Sequence, residues 1–218
     1  MEAKRNIPFS PPDISEQEIQ YIEKNLQKDG NILVFLFDVG RVSSKGFSHT
    51  LKRLTGINAK IKQDKLVTYQ FDYLNLPNPL SKTLNYFETE TRGPAFVINE
   101  PTNNILGYYT NTNIPGAAIK EHKNWTAVYI GTPGGLTPNF LNAIACKAGI
   151  KPISKPGDSV HLGNGFLVFH AMSSGTKTVN WHGKHDLLDL STGKIVAKQK
   201  DSYSFIISLG ETKWFKLK

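Results

Sequence analysis

Apolar positions along this chain follow two rhythms, and the pattern changes near residue 155. Ile19, Ile22 and Leu26 stand at helical spacing behind Ser15, Glu16, Gln17 and Glu18. That tetrad reads as a capping box, in which the serine oxygen takes an orphan N–H and Glu18 reaches back. Lys24 and Lys28 lie toward the end of this helix and Gly30 closes it. Ile32 to Phe37 are then all apolar. A short continuous run predicts a strand covered on both faces, as in a parallel sheet. A second helix is expected over Ser48 to Thr55, stopped by Gly56. Val67, Tyr69, Phe71 and Tyr73 alternate, which predicts a strand with one wetter face. Residues 74–93 carry little pattern, and "NLPNPLSKTL" reads as loop. "PAFVINE", "ILGYYTN" and "GAAIKEHKNW" read as short strands, and "NWTAVYIG" as a second strongly apolar one.

The next stretch, "YIGTPGGLTPNFLNAIACKAG", is strand end, glycine-rich turn and helix. Thr137 is placed to cap the helix, and Pro138 takes its first position, where a missing N–H costs nothing. Phe140, Leu141, Ile144, Ala145 and Ala148 form its apolar face, and Gly149 ends it. From Ser159 onward there is no helix signal. Turns at Asn164–Gly165, Ser174–Gly175, Thr192–Gly193 and Gly210–Glu211 punctuate short strands. The expectation is a mostly parallel α/β domain over residues 1–154 and a small antiparallel β-sandwich over 155–218.

Composition narrows this only slightly. At 218 residues, 39% hydrophobic and 11% aromatic, the chain is that of a globular protein. The single cysteine, Cys146, excludes an internal disulfide and a cysteine-based zinc site. It lies far from the helix N-terminus that would favour a thiolate, so a buried or half-buried structural cysteine is expected. The net charge of +8 could attract a polyanion, but the lysines are scattered without a run of like charges. A solvated lysine-rich surface is therefore preferred over nucleic-acid binding. The opening "MEAKRNIPFSPPD" has no apolar run behind its basic residues and does not read as a signal peptide. No stretch approaches the ~18 apolar residues of a membrane span. The compartment stays open.

Candidate chemistry is sparse. Gly131, Gly134 and Gly135 leave backbone N–H groups near a helix N-terminus, which can hold an anion. No lysine follows to make a phosphate loop, and the turn carries Thr132 and Pro133 where a nucleophile elbow needs Ser or Cys. The two readings are a plain tight turn and a ligand contact through the loop. Asp38 ends the first apolar strand, and ligands in open α/β sheets bind beyond strand C-termini. Asp38, Gly131, Thr132, Gly134, Gly135 and Thr137 are accordingly the ligand-binding candidates. A turn-forming role is the default for Asp38. No catalytic residue, metal site or cofactor is assigned. "WHGKH" pairs His182 and His185 without a helix to align them as ligands, and Asp186 and Asp189 sit in strand and turn. Trp125, Trp181 and Trp214 could stack on sugars, with core packing the alternative for each.

Several of these stretches together resemble a known family. "DGNILVFLFDVG", "LKRLTGI" and "AVYIGTPGGLTPNFLNAIACKAGI" resemble the glutamine-amidotransferase-like, or trimerisation, module of β-galactosidases and related glycoside hydrolases. "GDSVHLGNGFLVFHAMSSGTKTVNW" and the residues after it are similar to the small β domain that closes such proteins. The resemblance implies a flavodoxin-like layer followed by a β-sandwich. It also implies a non-catalytic module that assembles subunits or walls the active site of a catalytic barrel. Expected partners are such a barrel or further copies of this chain. A carbohydrate-binding protein and a hydrolase with an unrecognised site are the alternatives. A shorter stretch, "IPFSPPDISEQEI", looks like the opening of pyridoxal-phosphate sugar aminotransferases, but the chain is far too short for that fold.

Overall fold

A computed structural model describes residues 6–9, 11–73, 76–84 and 88–218. The chain divides into two compact units, Met1–Ala148 and Gly149–Lys218. The first unit runs β1 (Asn6–Phe9), α1 (Glu16–Asn25), β2 (Asn31–Leu36), α2 (Phe47–Thr55), β3 (Ala59–Lys62), β4 (Val67–Thr68), β5 (Phe71–Asp72), β6 (Thr91–Arg92), β7 (Ala95–Ile98), β8 (Ile105–Tyr109), β9 (Pro115–Glu121), β10 (Trp125–Ile130) and α3 (Pro138–Lys147). Short 3-10 helices occupy Pro79–Thr83, within the stretch read as loop, and Thr102–Asn104.

The capping box at α1 is formed: Glu18 N donates to Ser15 Oγ at 3.2 Å, and Ser15 N donates to the Glu18 carboxylate at 2.8 Å. β2 is buried along its whole length. Leu33 and Phe35 pack on one side with Ile19, Ile22, Leu51 and Leu54 of α1 and α2. Ile32, Val34 and Leu36 pack on the other with Leu80, Phe140 and Ile144. The alternation of strand side chains thus splits one apolar run between two cores.

The expected flavodoxin-like, mostly parallel sheet is overturned. The six-stranded sheet has the order β1-β2-β10-β9-β8-β5. Only β1 with β2 and β2 with β10 run parallel; the pairs β10–β9, β9–β8 and β8–β5 are antiparallel. The cause lies in the connections. A parallel crossover needs about a dozen residues or more. Residues 110–114 and 122–124 are all that join β8 to β9 and β9 to β10, so these strands must fold back as hairpins. The alternating stretch at 67–73 is likewise two short strands in two sheets, β4 pairing with β6 and β5 with β8. A separate pair joins β3 and β7.

The second unit runs β11 (Ser159–Gly163), β12 (Phe166–His170), β13 (Gly175–Asp189), β14 (Lys194–Ile207) and β15 (Thr212–Leu217). Here too the expected sandwich is corrected. The strands form one antiparallel sheet of order β11-β12-β15-β13-β14. β13 and β14 are long, and their pairing shifts register between Asn180 and Leu188. Such bulges bend a sheet, so a single sheet encloses its own apolar face of Leu167, Phe169, Val179, Trp181, Leu187, Phe205 and Phe215. Asn164 and Gly165, at φ 50° and 77°, make the β11–β12 turn; this is the left-handed pair that tight hairpins require. No helix among the described residues is long and apolar enough to cross a membrane.

Candidate functional site

The parallel register of β2 and β10 sets Leu36 beside Ile130, so both chains leave the sheet at one edge. Phe37 N donates to Ile130 O at 2.7 Å, extending the pairing by one residue. Phe37 itself lies at φ 44°, a region bulky side chains rarely enter. Three contacts hold it there. The Tyr129 hydroxyl donates to Phe37 O at 2.6 Å, and the Phe37 ring packs on Phe96 and Tyr69 with centroids 4.8 and 5.5 Å apart. This turn delivers Asp38 to the edge, half-buried. Its carboxylate makes no hydrogen bond or ion pair among the described residues. Its charge is felt nearby: burial pushes the Tyr69 phenol up, Arg92 and Arg41 pull it back, and Asp38 adds to the push. Tyr129 is held well above the ordinary phenol range by burial first, then by Tyr109 and Asp38.

On the β10 side, Gly131 N donates to Gly116 O at 2.8 Å and Gly131 O accepts from the Tyr109 hydroxyl at 2.9 Å. Thr132 is fully buried, and its hydroxyl donates to Gly134 O at 3.0 Å. Thr137 caps α3, accepting from Phe140 N at 3.1 Å, while its own hydroxyl donates to Thr83 O at 2.8 Å. The Thr132 hydroxyl is therefore committed to the turn, and the Thr137 hydroxyl to capping α3 and tying it to Thr83. The amides of Gly134 and Gly135 meet no carbonyl among the described residues. Asp38 and the Gly131–Thr137 loop thus share one edge, with the loop's side chains tied inward and Asp38 untied.

Sequence reasoning missed the residues that shape this edge. Phe37, Tyr109 and Tyr129 build it, yet all three read as ordinary apolar strand positions. The available signal was the aromatic set immediately before Asp38 and Gly131, because a buried phenol must find a partner for its hydroxyl.

The remaining candidates fall elsewhere. Cys146 is exposed, against the expectation of a buried or half-buried thiol, because it lies on the solvent side of α3; Ile144 and Ala148 face the core instead. Among the described residues no cluster of three or more His, Cys, Asp or Glu is arranged to hold a metal. Asp186 accepts from Gln199 N at 2.9 Å across β13 and β14, and Asp189 accepts from Ser191 N and Thr192 N in the turn that follows β13, so both acids serve the backbone. Trp181 is buried, with its indole N–H donating to Lys200 O at 2.8 Å. Trp125 is half-buried with His122 stacked on it at 4.2 Å, beside a shallow groove of about 670 Å³. Trp214 is exposed.

No family model matches this sequence, and no curated protein matches it. Solved structures do. The β-galactosidase of Bacillus circulans sp. alkalophilus aligns with a TM-score of 0.59 at 16% identity, over 98% of this chain and 33% of that one. Gan42B, a GH42 β-galactosidase of G. stearothermophilus, gives 0.60 at 15%, over 98% and 32%. The β-galactosidase of the haloarchaeon Halorubrum lacusprofundi gives 0.57 at 12%, over 96% and 31%. The chain spans about a third of the length of these structures and shares with them the fold of that part.

Proposed function

We propose that this chain is a non-catalytic accessory and assembly module of a glycoside-hydrolase-like protein, of the glutamine-amidotransferase-like trimerisation type, acting in carbohydrate metabolism. Its work is surface contact, with a catalytic barrel or with further copies of itself. One observation carries this reading. Nearly the whole chain, 98% of it, aligns with only a third of a β-galactosidase, so its fold recurs as one piece of a larger enzyme. The loop beyond β10 agrees, since its two threonine hydroxyls and Gly131 are bonded within the fold. The test is co-purification. A tagged chain, co-expressed with an untagged copy and with the open reading frames flanking its gene, is expected to bring down one of them at a mass above the 24.3 kDa of one chain. Elution at single-chain mass with neither an untagged copy nor a hydrolase bound rejects the reading.

A second reading, carbohydrate binding at the same sheet edge, rests on the untied carboxylate of Asp38. That group shares the sheet edge with a loop whose Gly134 and Gly135 amides meet no carbonyl among the described residues. In this reading Asp38 and the Gly131, Thr132, Gly134, Gly135 and Thr137 loop share the ligand. A ligand that binds only the folded state raises the melting temperature. A saccharide-induced rise that Asp38→Ala abolishes is then expected; a rise that survives the substitution places the sugar elsewhere.

A further inference from the structure

The outer face of the second unit's sheet has a composition that the accessory reading does not use. In an antiparallel pair, residues directly opposite each other share a face, and so do alternate residues along a strand. His161 lies opposite Val168, and Val168 opposite Trp214, which makes one row across β11, β12 and β15. The next row is Phe166 opposite Lys216. The row on the other side is His170 opposite Thr212. All of these point away from the core, whose rows are Leu167 with Phe215 and Leu162 with Leu167. Trp214 is 51% exposed and Phe166 44% exposed. They occupy diagonal positions, about 7–8 Å apart by strand geometry.

We infer that this face is a saccharide-binding platform, with Trp214 and Phe166 as the stacking surfaces and His161, His170, Thr212 and Lys216 as the hydrogen-bonding rim. The argument is chemical complementarity. A pyranose ring offers one apolar face of C–H groups and a periphery of hydroxyls. This surface offers flat aromatic rings at its centre and donors and acceptors around them. The rim is also pre-set: His170 Nδ1 and Thr212 Oγ1 are 2.9 Å apart, and the Lys216 ammonium sits 5.4 Å over the Phe166 ring. A protein interface also favours Trp and Phe, but the core of such a patch is depleted in charged residues. Here a lysine ammonium sits over the Phe166 ring, His161 shares the row of Trp214 and His170 stands in the row beside it. The open, pleated surface suits an extended glycan chain. The inference stands on the second unit alone and does not depend on the accessory reading.

The test uses the full chain. An array of immobilised neutral oligosaccharides is probed with it. Binding to at least one array glycan is expected. Trp214→Ala should weaken it roughly tenfold or more, as expected for an anchoring tryptophan, while Trp214→Phe retains part of it because a stacking ring remains. Both variants should melt as the parent does, since Trp214 lies outside the core. The inference is overturned if no array glycan binds, or if binding is indifferent to Trp214→Ala. It is overturned equally if Trp214→Ala leaves glycan binding intact and instead lowers the sedimenting mass, which would make the face a protein interface. Assembly is read from mass and glycan binding from retention, so this inference and the proposed function can fail separately.

Discussion

Glu100→Ala is expected to lower the stability of the first unit by about 2–4 kcal/mol, a melting shift of roughly 5–15 °C for a chain of this size. Glu100 follows β7 with its side chain only 3% exposed. It accepts from Asn58 N and Asn58 Nδ2, each at 2.9 Å, from Asn104 Nδ2 at 3.3 Å and from Lys120 Nζ at 3.3 Å. Truncation removes the acceptor and leaves these donors without it, and each orphaned buried group costs about 1–3 kcal/mol. Lys120 keeps its bond to Gly56 O at 2.6 Å and its side chain is 31% exposed, which holds the loss below that of a fully buried broken pair.

The same site predicts an acid dependence. Burial alone would raise the Glu100 pKa, but the bonds from Asn58, Asn104 and Lys120 outweigh it and hold the carboxyl below its ordinary value. A folded-state pKa below the unfolded one, about 4.3, means the ionised group stabilises the fold. That contribution is fully present above the unfolded value and is lost as pH falls through the folded one. Asp158, ion-paired with Lys177 in the second unit, acts in the same direction. The informative measurement is therefore a difference. Melting of the parent and of Glu100→Gln is followed from pH 7 to pH 3, and the gap between them should close in acid, because the variant has no charge to lose. A gap that stays constant across this range would show that the ionised form is not what the network holds.

The sequence disclosed local structure more readily than topology. The capping box at Ser15 and Glu18 is written in adjacent residues, and its bonds form between those residues. The burial of β2 on both faces follows from its unbroken apolar run. Strand direction is another matter. Two-sided burial is equally compatible with an antiparallel neighbour, provided helices cover both faces. The cue to the mixed sheet was the brevity of residues 122–124, which periodicity does not register. Two of the tryptophans make the same point. Trp181 is buried and Trp214 exposed, although both lie on strands of one sheet. Which strand parity faces the core is decided by register across the sheet, and no window along the chain contains it. At the sheet edge, Asp38 and Gly131 could be placed together once β2 and β10 were taken as neighbours. The left-handed Phe37 and the Tyr109 and Tyr129 hydroxyls could not, because their partners lie far away in sequence.

Gly131→Ala is expected to cost about 2–4 kcal/mol, and the result separates the two roles open to this glycine. A methyl group there would lie 2.7 Å from the Tyr109 hydroxyl, 2.9 Å from Gly116 O and 3.2 Å from Phe96 Cβ. Gly131 does not adopt a positive φ, so the penalty is one of space and not of backbone conformation. The space is hard to make. Gly116 O is main chain and already accepts from Gly131 N, while Tyr109 is fully buried and shares its one hydroxyl proton between Phe96 O at 3.1 Å and Gly131 O at 2.9 Å. Overpacking of this kind costs about 1–3 kcal/mol, and displacing the phenol adds the loss of a buried hydrogen bond. Gly163→Ala is the control: nothing lies within 4 Å of its added carbon, so its effect should stay within about 0.5 kcal/mol. Pairing Gly131→Ala with Tyr109→Phe removes the nearest obstructing oxygen, so the second substitution should make the first less costly than it is alone, a coupling a double-mutant cycle can read. If Gly131→Ala instead behaves like the control, packing does not require this glycine, and of its two roles the ligand contact through the loop backbone is the one left.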